Sequence, residues 1–123
     1  MLGMITGVQI MTKLCDLKCQ PCRGGVEPLK GKQLSDYSKQ APQWQTVDEH
    51  HLSRTFKFKD FVEALTFVNK VGEVAEELGH HPDIFLTWGR VQIQVFTHKI
   101  DGLHVNDFIL AVRIDQILQR AGR

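Results

Sequence analysis

The chain has 123 residues, enough to bury one sizeable core and too few for two. Lys plus Arg total 15 against 14 for Asp plus Glu, a formal charge of +1 with no run of like charge, which excludes strong attraction to nucleic acid. The longest apolar runs, Val91 to Phe96 and the first eleven residues, are broken by glutamine or glycine and fall short of the ~18 residues a membrane span needs, so no membrane association is expected.

The segment Met1 to Met11 has no basic leader and no small-residue cleavage site, which argues against a secretory signal and predicts a cytoplasmic protein. Met4 and Met11 are alternative starts, and the first ten residues carry no fold argument. Cys15, Cys19 and Cys22 form C-x3-C-x2-C, the ligand spacing of an iron-sulfur cluster in radical enzymes that cleave S-adenosylmethionine. Such a cluster needs a large barrel around it, and the roughly 100 residues after Cys22 contain no repeated strand-helix units. A zinc site would need a fourth ligand, which His50 or His51 offers only at a non-standard spacing. No metal is therefore expected, and the thiols are read as reduced. Residues 15 to 31 are rich in Gly, Pro and Cys, so residues 1–28 are assigned to an irregular arm and 29–123 to the domain.

Between Pro28 and Pro42, Leu34 and Tyr37 lie three apart among polar residues, which predicts a short amphipathic helix weakened by Gly31. From Trp44, WQTV, a polar DEHH turn and LSRTFKF, with Leu52, Phe56 and Phe58 alternating with polar residues, predict a β-hairpin. Asp60 and Glu63 make a capping box for a helix over 61–78, with Phe61, Leu65, Val68, Val71, Ala75 and Leu78 at helical spacing and Gly79 as its C-cap. Pro82 prevents that helix from continuing, and IFLTW, a Gly89-Arg90 turn and VQIQVFTH predict a second hairpin. Val91, Ile93 and Val95 share one face of its last strand; Gln92, Gln94, Phe96 and His98 share the other. After the loop KIDGLHV, Asn106 is placed to cap a final helix with Leu110, Ile114, Ile117 and Ala121 toward the core. Two hairpins and three one-sided helices predict an α+β domain in two layers, a four-stranded, mainly antiparallel sheet with three helices on one face.

His80 and His81 follow the C-terminal end of the long helix, where unpaired carbonyls favour a protonated imidazole. The hairpin between them and His98 returns the chain toward the same place, so three imidazoles are expected to line one pocket. Imidazole titrates near neutrality, which suits it to both halves of a proton transfer. Asp107, in the first turn of the last helix, and Glu76, one turn before His80, are the carboxylates available to orient them. Taken blind, an HHP tripeptide after a helix is more often a solvated cap than a catalytic pair. His50 and His51, in a polar turn, and His104, in a loop, are given no role.

The segment EELGHHPDIFLTWGRVQIQVFTHKIDGLHVNDFILA resembles the signature region of the pterin-4a-carbinolamine dehydratases: HHP, a T-H pair ending the last strand, G-L, and an Asp in the following helix. Trp44, the FKFKDF segment and the long helix extend the resemblance to about residues 29–120. It implies the same α+β layers and dehydration of 4a-hydroxytetrahydrobiopterin to quinonoid dihydrobiopterin, which regenerates the pterin of aromatic amino acid hydroxylases. By resemblance, His80 and His98 are the acid-base candidates and His81 positions the pterin; Glu76, Thr97 and Asp107 occupy matching pocket positions, with Trp44 as a wall. No metal or redox cofactor is implied, and a homodimer or a tetramer of dimers is expected. The cysteine-bearing arm departs from the family's simpler members, as does Lys30 where a Ser or Thr cap is usual. Two competing readings are an interaction module, since mammalian members also serve as dimerisation cofactors of a transcription factor, and a pterin-linked role beside a molybdopterin enzyme.

Overall fold

A computed structural model describes residues 26–120. The cysteine arm and Ala121 lie outside the described residues. In chain order the elements are α1 (Gly31–Gln40), β1 (Gln45–Val47), β2 (His51–Lys57), α2 (Phe61–Leu78), β3 (Asp83–Thr87), β4 (Arg90–Val95) and α3 (Val105–Arg120), with a 3-10 turn, His98–Ile100, before α3. The strands form one antiparallel sheet in the order β1-β2-β4-β3. The two hairpins join through β2 and β4, where Leu52 faces Val95 and Phe56 faces Val91. These residues and Ile93 are buried beneath the helices, while Phe85 on the edge strand β3 is exposed on the opposite face. The architecture is the predicted α+β fold, three helices on a four-stranded sheet. No helix among the described residues is long and apolar enough to cross a membrane.

The first hairpin turns more tightly than the DEHH pattern implies. Asp48 and Glu49 both take positive φ, 54° and 53°, and His50 N–H bonds Val47 O at 2.9 Å, so the turn is centred on two residues. His51 consequently belongs to β2, opposite Val47.

Helix α2 has the predicted bounds because both of its ends are specified locally. Asp60 accepts the Glu63 N–H at 2.9 Å, and Glu63 reaches back to the Lys59 N–H at 3.4 Å. At the other end Gly79 sits at φ 66°, Gly79 N–H bonds Glu76 O, and His80 N–H bonds Ala75 O, the two bonds of a Schellman motif. That turn fixes the backbone on which His80 and His81 stand. Gly79→Ala is expected to cost about 1 kcal/mol, because a Cβ strains the left-handed conformation; chemical denaturation would measure it, and no loss would mean the turn does not need glycine.

The buried stripe of α2 is Ala64, Phe67, Val71, Ala75 and Leu78, whereas Phe61 and Leu65 are exposed. The expected stripe is therefore corrected over its first two turns. Phe67 packs on Phe56 and Phe58, with ring centroids 4.7 and 5.1 Å apart, and these contacts turn the helix away from Phe61. In α3, Phe108, Ile109, Leu110, Ala111 and Ile114 are all buried, so its first half is enclosed on more than one side. Tyr37 of α1 stacks on Phe108 at 5.5 Å.

Two further expectations are corrected near the predicted site. Strand β4 ends at Val95, so His98 opens the 3-10 turn instead of closing the strand. The cap of α3 is His104: its Nδ1 accepts the Asn106 N–H at 3.3 Å, while Asp107 accepts the His104 N–H at 2.9 Å. Asn106 is itself buried.

Candidate active site

Asp107 is the centre of the polar constellation. It lies in the first turn of α3, is fully buried, and uses both carboxylate oxygens. Its Oδ2 accepts the Thr97 hydroxyl at 2.8 Å and the His104 N–H, and its Oδ1 lies 2.6 Å from His80 Nε2. The position suits a carboxylate because the N-terminus of a helix presents unpaired N–H groups and positive dipole. An ionised Asp107 accepts from Nε2–H, which assigns the imidazole proton to that nitrogen and leaves Nδ1 as the proton acceptor.

Thr97 is buried and is held by main-chain bonds to Gly102, Thr97 N–H to Gly102 O at 2.8 Å and Gly102 N–H to Thr97 O at 3.4 Å. Gly102 is required by close approach, since a Cβ there would lie 2.6 Å from the Pro28 Cβ. The segment leading into α1 passes at that point, with Leu29 N–H bonded to Leu103 O at 2.8 Å.

His81 pairs with Glu76 at 2.5 Å, so the glutamate expected near His80 reaches the neighbouring imidazole instead. Both side chains are largely exposed, at 60% and 78%. His98 is exposed on the 3-10 turn immediately after Thr97, and its ring contacts Phe96 at 4.1 Å. The structure thus joins His80, Thr97 and Asp107 in one bonded group, joins His81 to Glu76 beside it, and sets His98 next to Thr97 in the chain. Among the described residues no group of three or more His, Cys, Asp or Glu is placed to hold a metal ion.

Trp44 is in different company. It is buried edge-on against Phe56, and its Nε1–H donates to Asp115 at 2.9 Å. Arg54, on the helix-facing side of β2, also binds Asp115, at 2.5 Å, and lies over the Phe56 ring. An adjoining cleft of about 450 Å³ is lined by Gln43, Arg54, Phe56, Lys57, Asp115 and Leu118, among others, and by no histidine. Burial pushes the Asp115 carboxyl above the usual carboxylate range, opposed by Trp44 and Arg54. A carboxyl whose folded-state pKa is raised contributes stability below its ordinary value of 3.8 and loses it as pH rises through the folded value. The thermal midpoint of the native protein relative to Asp115→Asn is therefore expected to fall as pH is raised from about 3 through that titration; a difference that grows with pH would reverse the sign assigned here.

His104, set aside as a loop residue, turns out to position Asp107, and an Asp three residues after it is the spacing of a reciprocal cap.

A family model described as pterin 4 alpha carbinolamine dehydratase matches residues 27–117. A Rubrobacter xylanophilus protein provisionally named a pterin-4-alpha-carbinolamine dehydratase is 56% identical over 107 residues, covering 87% of this chain and all of that protein. A protein of Alkaliphilus metalliredigens with the same provisional name is 47% identical, covering 86% of this chain and 96% of its own length. Among solved structures, a transcriptional coactivator/pterin dehydratase from Brucella melitensis superposes with a TM-score of 0.69 at 32% identity, covering 74% of this chain and 98% of that one. The family match and the close relatives, each spanning nearly all of the described fold, show that this chain belongs to the pterin-4-alpha-carbinolamine dehydratase family.

Proposed function

We propose that the chain dehydrates 4a-hydroxytetrahydrobiopterin to quinonoid dihydrobiopterin by acid-base catalysis through His80 and His98. The observation that carries this reading is the buried Asp107, which binds His80 Nε2 while tied to Thr97 and the His104 N–H. Such an arrangement holds one imidazole in one orientation and one tautomer, as a proton-transfer group requires. In the reaction the N5 lone pair pushes toward the bridgehead carbon, the C4a–O bond breaks, a general acid supplies the proton with which the hydroxyl leaves as water, and a base removes the N5 proton. Electrons are neither gained nor lost overall, so the step needs no redox cofactor. His81, held by Glu76, positions the pterin ring. Trp44, whose indole N–H is held by Asp115, would act only as an apolar wall of the pocket.

The physiological setting we assign is cytoplasmic pterin recycling beside an aromatic amino acid hydroxylase. A homo-oligomer built on the exposed β3 edge, where Phe85 and Trp88 are 53% and 67% exposed, accords with it. Light scattering that gave a strict monomer would remove that part.

The deciding experiment follows freshly generated 4a-hydroxytetrahydropterin by ultraviolet absorbance with native protein, His80→Ala and His98→Ala. Acceleration that falls at least tenfold in either variant, about 1.4 kcal/mol of barrier, is the expected result. No acceleration by folded native protein would sink the enzyme reading. The weight would then pass to an interaction module, which Phe61, Val62 and Leu65, exposed together on the first turns of α2, favour. Partner binding through that surface would survive loss of both histidines.

A further inference from the structure

The His98 ring rests on Phe96, at 4.1 Å, and the described contacts lead from Phe96 to a second pair of histidines. The His50 ring lies 4.6 Å from Phe96, so Phe96 is in contact with two imidazoles, at similar tilts of 41° and 40°. His50 in turn has both nitrogens engaged. Its Nε2 is 2.7 Å from Asp101 Oδ1, and its Nδ1 is 3.1 Å from His51 Nδ1. A neutral His50 that donates Nε2–H to the carboxylate accepts at Nδ1 from a His51 that carries its proton on Nδ1, so one tautomer assignment satisfies all three groups.

Asp101 closes the path back on itself. It ends the 3-10 turn that begins at His98, in the left-handed conformation at φ 50°, and its N–H bonds His98 O at 3.2 Å. The turn that carries His98 is thereby connected to His50 twice, through the Asp101 carboxylate and through the Phe96 ring that both imidazoles touch. His50 and Asp101 are 51 residues apart in sequence, and their contact joins the first hairpin to the loop that follows the last strand.

We propose that His50, anchored by Asp101, is a positioning residue for His98: it holds the Phe96 ring against which the His98 imidazole is laid. The proposal rests on the reading of His98 as an acid-base group, and it deepens that reading by naming what orients a side chain that is otherwise exposed. An exposed imidazole samples several rotamers, and ordering it before substrate arrives removes that entropy from the barrier. His50 touches no reacting atom in this account.

The test combines proton–carbon NMR of the histidine rings with steady-state kinetics on the full chain. The Phe96 ring current marks the His98 imidazole that rests against it, whose resonances are assigned by their loss in His98→Gln. His50→Ala removes the support. Asp101→Gly removes the carboxylate but keeps a residue suited to the left-handed turn. His50→Phe restores a ring that packs on Phe96 by apolar contact alone, which a polar imidazole released from Asp101 and drawn to solvent does not do. We expect the His98 resonances to move toward those of an imidazole free of Phe96 in His50→Ala and Asp101→Gly and to return most of the way in His50→Phe. Alongside, kcat should fall roughly three- to thirtyfold in the first two variants, with KM changed by less than about twofold, and recover in the third.

His98 resonances that coincide in native protein and His50→Ala would overturn the proposal whatever the activity. Resonances that move while kcat stays at the native value would also overturn it, because the positioning would then have no catalytic consequence. If native protein fails to accelerate dehydration at all, the acid-base reading falls, and the NMR arm alone decides whether His50 holds His98.

Discussion

Asp107→Asn is expected to lower the dehydration rate by about 10²–10⁴-fold, the contribution typical of a positioned acid-base group, in a protein that still folds. The carboxylate accepts three bonds and donates none, to Thr97, the His104 N–H and His80 Nε2. Asparagine is nearly the same size, so the packing around this fully buried position survives. Its single oxygen is retained by the Thr97 hydroxyl and the His104 N–H, which turns the amide NH2 toward His80. A donor there obliges His80 to accept at Nε2 and carry its proton on Nδ1, the reverse of the arrangement with a carboxylate. The nitrogen left for chemistry then has the wrong protonation, and the imidazolium loses its counter-charge. Nitrogen-15 shifts of the His80 ring report the tautomer directly, so the cause can be read apart from the rate. A folded Asp107→Asn protein within about threefold of native activity would show that His80 does not work through this carboxylate.

The constellation was legible in the sequence to the extent that local rules place its parts. Gly79 and the capping Asp60 fix where α2 stops and starts, and therefore where His80 and His81 stand. Asp107 is fixed by the start of α3, and Thr97 by the 3-10 turn that follows β4. The misplaced details depend on contacts distant in the chain. Residues 61–68 offer apolar side chains on two faces, and only the packing of Phe67 on Phe56 and Phe58 decides between them. Trp44 is expected as a pocket wall, and its bond to Asp115, 71 residues away, leaves no local mark. His50 looked like a solvated turn residue for the same reason, since Asp101 meets it only once the sheet has formed. His104 is different, because its spacing to Asp107 carries the signature of a reciprocal cap and was there to be read.

The second large effect is on stability. Phe108→Ala is expected to cost about 3–5 kcal/mol, a substantial part of the ~5–15 kcal/mol that holds a domain of this size. Phe108 is fully buried one residue after Asp107, on a turn of α3 whose neighbours Ile109, Leu110 and Ala111 are also buried. The cavity left behind cannot collapse freely, because the ring belongs to one contiguous buried cluster with Val91, Ile93 and Val95. The ring also stacks on Tyr37, and with Leu34 that contact helps seat α1 on the layer. Tyr37→Leu alone should therefore cost less, and the two substitutions together should cost less than their sum, since both remove the same stacking. Activity should respond differently from stability. The bonds that orient His80 run from Asp107 to Thr97 and to the start of its own helix, so the folded fraction of Phe108→Ala should retain most of its rate per molecule. Urea unfolding followed by tryptophan fluorescence, with activity measured at denaturant concentrations where the variant is still folded, separates the two quantities. A stability loss below about 1 kcal/mol would mean that α1 and α3 do not pack around this ring, and a full stability loss with the rate per folded molecule abolished would mean that the core and the Asp107 constellation are one cooperative unit.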